Sequence, residues 1–340
     1  MMPGELGRTV AFSELLRPVQ AHGILSLPGW HVWCGTATRG PDGAYYLLFS
    51  RWPEEAGFEA WATHSEIAVA VSDTPDGPYR LVDTVFPRAA QRWDDVTHNP
   101  AVVEIGGRYV LYYMGTHGPP LPEGSVPADA TWWAYRDNQR IGVAVADHPA
   151  GPWTRFDAAL LDAGEEGAWD AVLTNNPTAT VLADGRVLMM YKGVSRGPSG
   201  DVVSAGVAIA DGPLGPFVRQ QAPAVSGTAV GEDWAVEDPF IWRDGDRLLA
   251  VMKDFSGAFA RGGPRSLALL ESRDGLSWQP CPLPLALPQR LRHAERGIIE
   301  PFRLERPQLL LVDGRPIAFL CAVLETPDAR AYNAQMLLKT

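Results

Sequence analysis

A chain of 340 residues with 34 Gly, 30 Pro and 12 Trp is long enough to bury a large core and is rich in turn formers. Its net charge of −11 excludes a nucleic-acid partner, which needs a positive field, and disfavours an anionic membrane surface. Three widely spaced cysteines, Cys34, Cys281 and Cys321, supply neither a disulfide framework nor zinc-ligand spacing.

The first twenty residues hold no basic segment followed by an apolar one, and no apolar run approaches the length of a membrane span. The expectation is a cytoplasmic protein whose oligomeric state is undetermined. Helical periodicity is weak throughout; residues 5–20 are the one stretch where a helix is expected.

From residue 31 the chain repeats itself. HVWCGTATRGPDGAYYLLFSRW (31–52) is a degenerate first copy, and HNPAVVEIGGRYVLYYMGT (98–116) is a clear second. NNPTATVLADGRVLMMYKGV (175–194), EDPFIWRDGDRLLAVMKDF (237–255) and ERPQLLLVDGRPIAFLCAV (305–323) follow. Each clear copy runs polar pair, Pro, apolar run, Gly-containing turn, Arg, second apolar run. That is a β-hairpin, because Gly and Asp-Gly support positive φ at a tight turn. A third strand follows in most units, at 65–73, 140–147, 204–211 and 266–275. Punctuation ending at Tyr79, Trp153, Phe217 and Trp278 then closes these units. Five such units, spaced for four-stranded blades, predict an all-β, five-bladed β-propeller of antiparallel blades around a central pocket. Blades begin near 31, 98, 175, 237 and 305, and the whole of 1–340 is expected to be one domain. YNAQMLLK (332–339) is expected to pair with N-terminal residues and close the ring.

The polar pairs before Pro, the Gly-Pro-aromatic corners and the EDPFIW segment resemble the five-bladed propeller glycosidases of glycoside hydrolase family 43 and its relatives. The resemblance spans nearly the whole chain and marks it as a divergent member. It implies a glycoside hydrolase with a general base Asp on blade 1, an orienting Asp on blade 3 and a general acid Glu on blade 4. Carried over residue by residue, Glu237 matches the acid. Blade 3 offers Asn175 or Asn176 instead of Asp. Blade 1 offers His31, Trp33 and Cys34, so the base is missing where the resemblance puts it.

Residues that open the blades lie nearest the propeller axis, which gives His31–Trp33, His98–Asn99, Asn175–Asn176, Glu237–Asp238 and Glu305–Arg306. Glu237 and Asp238 are neighbours in one strand and are expected to point to opposite sides. Glycoside cleavage needs two carboxyls, one protonated and one ionised. The expected partner of Glu237 is therefore Asp95, with Asp94 behind it, from the loop Trp93-Asp94-Asp95; Asp238 is the alternative. Loop capping explains these aspartates equally well.

Expected substrate contacts are His31, Trp33, Trp93, His98, Asn99, Asn176, Lys192, Lys253 and Arg306. Lys192 and Lys253 follow equivalent strands and read either as anion-recognising groups or as lysines snorkelling at a blade edge. Two or three of the many tryptophans are expected to stack on a sugar ring. The long loop 117–139 is expected to wall or cover the pocket. No cofactor is required; the fold leaves room for a central Ca or Na ion, with His98 as its one candidate ligand. The partner is an oligosaccharide or glycoside. Two alternatives stay open: a glycoside phosphorylase of the same fold, drawing on Lys192, Lys253, Arg140 and Arg306, and a non-catalytic sugar-binding propeller.

Overall fold

The computed structural model describes residues 4–89, 92–121 and 130–339. They form five antiparallel blades in a ring. The inner strands are Trp30–Arg39, Val96–Ile105, Leu173–Val181, Val236–Asp244 and Arg303–Val312. In blades 1 to 4 the following strands run outward in chain order. In blade 5 the outermost strand is instead Ile24–Leu25, which pairs with Tyr332–Leu337 in the register Ile24↔Ala334. The ring closes as the sequence leads one to expect.

Inner and middle strands are apolar on both faces because each blade packs between two others. Leu47, Phe49, Leu310 and Leu320 fill the gap between blades 5 and 1. Leu48, Ile67, Leu111 and Tyr113 fill the next, and Tyr112, Ile141, Met189 and Tyr191 the one after. Met190, Ile241, Met252 and Leu270 join blades 3 and 4. Each fully buried side chain of this kind contributes roughly 1.5–3 kcal/mol. The fifth gap, between blades 4 and 5, is also filled by Leu6, Phe12 and Val19 from the N-terminal segment. This is why the helix expected over 5–20 shrinks to the single turn Phe12–Leu15. The three apolar residues are seated separately against the blades, and Phe12 meets Phe319 edge-on at 5.5 Å.

One local device recurs five times and sets the geometry of the axis. The ladder between inner strand and neighbour slips between Trp33 and Thr36, His98 and Ala101, Asn175 and Thr178, Glu237 and Phe240, and Glu305 and Gln308. At each slip one residue takes a left-handed φ of 51° to 57°: Cys34, Asn99, Asn176, Asp238 and Arg306. A β-bulge of this kind re-aims side chains and breaks the alternation of a strand. Glu237 and Asp238 therefore both line the same cavity, which corrects the expectation that only one of them faces the channel.

Candidate active site

The five left-handed residues form a ring around the axis, joined by hydrogen bonds from Cys34 through to Arg306. Cys34 Sγ donates to Asn99 Oδ1 at 2.7 Å. Asn99 Nδ2 donates to Asn176 Oδ1 and, at 2.9 Å, to Asn175 Oδ1. Asn176 Nδ2 donates to Asp238 Oδ1. Arg306 donates to the same carboxylate twice, from its backbone N at 3.1 Å and from Nη1 at 3.2 Å. All five are buried. Burial pushes the Cys34 thiol well above its ordinary range, so it is a neutral member of the ring. Burial and the nearby Glu237 also raise the Asp238 carboxyl, against Arg306 and Lys192.

This ring is the floor of a cavity of about 230 Å³. The residues one step before each bulge rise from it: Trp33, His98, Asn175, Glu237 and Glu305. The walls are aromatic, with Trp52, Phe58, Trp61, Trp132, Trp133 and Trp234. Trp133 and Trp234 are 45% and 43% exposed and form the rim. His98 stacks on Trp61 at 5.3 Å and its Nδ1 meets Ser65 Oγ at 2.7 Å. Burial, with Arg306 and Lys192 close by, holds His98 far below its ordinary pKa, so it is a neutral ring.

The two carboxylates on blades 4 and 5 differ in their partners. Glu237 Oε2 accepts from Lys192 Nζ at 3.2 Å. Glu305, 8% exposed, is ion-paired with Arg303, Nη1 at 3.5 Å, and accepts no shorter hydrogen bond among the described residues. Burial pushes the Glu305 carboxyl up to about 7, reinforced by Glu237 and Asp238 and opposed by Arg303 and Lys253. One oxygen each of Glu237, Asp238 and Glu305 lie within 4.8 Å of one another. The set does not fit a resident Ca or Na ion. Calcium takes six to eight oxygens, and here the Arg306 guanidinium and the Lys192 ammonium already hold two of the three carboxylates.

Of the expected contacts, Trp33, His98, Asn99, Asn176, Lys192, Glu237, Asp238 and Arg306 meet at the cavity. Four do not. Asp95, expected as the catalytic partner, is bound by Arg88 and accepts the Ala89 N–H at 2.9 Å, so it caps its own loop. Asp94 is likewise used up by Tyr113 Oη at 2.7 Å and Arg92 at 2.9 Å. Trp93 lies over Gly115 and beside Tyr113, away from the cavity. His31 sits behind the wall, against Trp52 at 5.4 Å, with Nδ1 accepting the Ala331 N–H. In blade 1 the true counterparts of the other pairs are Trp33 and Cys34. Lys253 is buried and donates to the carbonyls of Leu304, at 2.8 Å, and Arg265, a clasp between blades 4 and 5. Burial draws it down to about 8.

The loop expected to wall the pocket lies partly outside the described residues, at 122–129. Its helical portion, Ala130–Asp137, brings Trp132, Trp133 and Arg136 to the cavity. Arg303, Gln139 and Phe58 also line it without having been singled out in the sequence. Glu305 was placed at the axis but given no chemistry. Yet Glu305-Arg306-Pro307 repeats the spacing of Glu237-Asp238-Pro239, which was the available signal.

No family model and no curated protein sequence matches this chain. Solved structures do. A family 117 glycoside hydrolase, Zg3597, from the marine bacterium Zobellia galactanivorans is 16% identical, with a TM-score of 0.65 over 95% of this chain and 89% of its own. BT0996, solved in a complex with RGII, is 15% identical with a TM-score of 0.69 over 97% and 93%. An exo-1,5-alpha-L-arabinanase from a bovine ruminal metagenomic library is 13% identical with a TM-score of 0.60 over 91% and 97%.

The chain has the five-bladed fold of these glycoside hydrolases. Among the described residues, no helix is long and apolar enough to cross a membrane.

Proposed function

We propose that this protein is a glycoside hydrolase that removes a single neutral sugar from the end of an oligosaccharide, with Glu237 as an essential carboxylate. The observation that carries this reading is the pair Glu237 and Glu305, on adjacent blades, at the bottom of a tryptophan-walled cavity. Two carboxyls in unlike surroundings are what glycoside cleavage requires. The cavity volume lies below the roughly 300–1,000 Å³ of sites that take drug-sized ligands. It suits one sugar ring, with the rest of the oligosaccharide passing out between Trp133 and Trp234.

The cations lining the cavity argue for a neutral sugar and against phosphorolysis. Lys192 faces Glu237, Arg306 faces Asp238, Arg303 faces Glu59 and Glu305, and Arg136 faces Asp137 and Asp201. Arg140 is held by Asp162. A phosphate would have to compete with these carboxylates. A purely sugar-binding role gives no reason to bury Glu305 beside Glu237 and Asp238, where like charges crowd.

The test is release of nitrophenolate from a panel of 4-nitrophenyl pentosides and hexosides, and of monosaccharide from arabino-oligosaccharides, with and without inorganic phosphate. The arabino-oligosaccharides come first because a structural neighbour is named as an exo-arabinanase. Phosphate-independent release of one sugar from chain ends is expected. Turnover that requires phosphate establishes the phosphorylase instead, and binding with no turnover of any glycoside establishes a lectin-like propeller.

A further inference from the structure

The five positions preceding the bulges are equivalent by fold, so their differences are choices of chemistry. Trp33 contributes a wall. His98 is held by Ser65 and stacked on Trp61. Asn175 donates to Gln139 Oε1 at 2.6 Å and accepts from Asn99. Glu237 is ion-paired with Lys192. Glu305 alone among the polar ones has no contact closer than a 3.5 Å ion pair, to Arg303, and it lines the cavity. A buried carboxyl so loosely held in a native structure calls for a reason.

We propose, on the footing of the glycosidase reading above, that Glu305 is the proton donor of the reaction and Glu237 the carboxylate nucleophile, so that the anomeric configuration is retained. The roles follow from the partners. Lys192 holds Glu237 as the charged member of an ion pair and leaves its Oε1 without a described donor, open to the cavity. Asp238 is the wrong candidate for either role, because Asn176 and Arg306 take up its oxygens in the ring. The spacing is the ground for retention. Retaining glycosidases hold their carboxyls about 5–5.5 Å apart, whereas inverting ones need about 6.5–9.5 Å to admit a water. One oxygen of Glu237 and one of Glu305 lie within 4.8 Å of each other, on the short side of that range.

The first step then transfers the Glu305 proton to the glycosidic oxygen while Glu237 Oε1 attacks the anomeric carbon. The carbon–oxygen bond to the leaving alcohol breaks, and a glycosyl ester to Glu237 forms. In the second step the Glu305 carboxylate takes a proton from water, whose oxygen attacks the anomeric carbon. The ester bond breaks, releasing the Glu237 carboxylate and the free sugar with Glu305 reprotonated. The groups that set the protonation of Glu305 are Arg303 on its own strand, Glu237 and Asp238 on the inner strand of blade 4, and Lys253 on the strand behind it. A carboxyl pushed up to about 7 by burial stays protonated for this task near neutral pH.

The experiment uses the full chain and whichever nitrophenyl glycoside the wild type cleaves best. Proton NMR of the first-formed sugar should show retention. Glu305→Gln should lose about 10²–10⁴-fold on an alkyl glycoside and far less on the 2,4-dinitrophenyl analogue, which needs little protonation. It should also lose the basic limb of the pH–rate profile. Glu237→Gln should be inactive on both substrates. As a check that needs no variant, a 2-deoxy-2-fluoro glycoside with a good leaving group should add one sugar mass to the Glu237 peptide of the wild type. Inversion, no trapped ester on Glu237, or a Glu305→Gln variant with wild-type pH dependence overturns the assignment while leaving the glycosidase reading intact. A wild type that cleaves no glycoside removes both.

Discussion

Blades 1 to 3 and blades 4 to 5 present the same backbone to the cavity and opposite chemistry. In both groups the inner strand bulges at the same place with a left-handed φ of 51° to 57°. On blades 1 to 3 the preceding residue is Trp33, His98 or Asn175, all neutral; on blades 4 and 5 it is Glu237 or Glu305. The neutral side is self-satisfied, through Cys34, Asn99, Asn175 and Asn176. The charged side is held more loosely: Glu305 meets Arg303 only at 3.5 Å. The repeat thus supplies five identical mounts, and function resides in what two of them carry. A propeller can change its reaction by substitution at these mounts without altering the fold.

The sharpest break in that comparison is Glu237→Gln. It should cut turnover roughly 10³-fold or more, the scale seen when a nucleophile is removed, while the melting temperature stays close to wild type. Equal loss from Trp33→Phe or Asn175→Ala would show that the neutral side carries chemistry as well. Next in size is Asn176→Leu, which removes a ring donor and leaves a buried Asp238 oxygen short of a partner. Denaturant unfolding should register about 1–3 kcal/mol of lost stability. No change there would mean that the ring is not cooperative.

Smaller again is Trp61→Ala. Losing the ring that backs His98 should raise KM about five- to tenfold with kcat nearly unchanged, an aromatic contact being worth about 0.5–1.5 kcal/mol. A fall in kcat alone would shift Trp61 from the sugar platform to the positioning of the reacting groups. The smallest effect concerns His98, which is buried neutral. Its folded pKa lies below the ordinary 6.5, so the unfolded chain binds more protons and stability falls as pH drops below about 6.5. His98→Gln should flatten that part of the stability curve, by thermal melts at pH 4.5–7, without altering the basic limb of activity. An altered basic limb would give His98 a share in the proton transfer assigned to Glu305.

The fold was legible because it repeats: hairpins with matching Pro-to-Arg spacing and Gly-Pro-aromatic corners describe blades before any contact is known. The axis was legible in four blades of five, because a Pro marks the bulge at Asn99, Asn176, Asp238 and Arg306. Blade 1 has Gly35 in place of that Pro, and so His31 was put where Cys34 belongs. What escaped was local. Strand alternation argued that Glu237 and Asp238 diverge, and a left-handed residue at 238 undid it. Asp95 and Asp94 looked catalytic beside a Trp, but sequence spacing cannot say that Arg88, Arg92 and Tyr113 already hold them. Lys192 and Lys253 are identical in pattern, and only the next blade distinguishes them: it offers a carboxylate to one and carbonyls to the other.

Closure of the ring has a consequence for how the protein is made. Blade 5 borrows its outermost strand, Ile24–Leu25, from a segment translated long before the rest of that blade. Its inner strand, with Glu305 and Arg306, comes after the other four blades are complete. Until Tyr332–Leu337 emerges, Ile24–Leu25 has no strand to join, and Asp238 waits for both of its Arg306 donors. Such long-range pairing is slow to form and leaves open edges exposed meanwhile. A chain that ends before blade 5 carries Glu237 without Glu305. Activity should arrive in one step, with the last strand, and never in proportion to the length already translated.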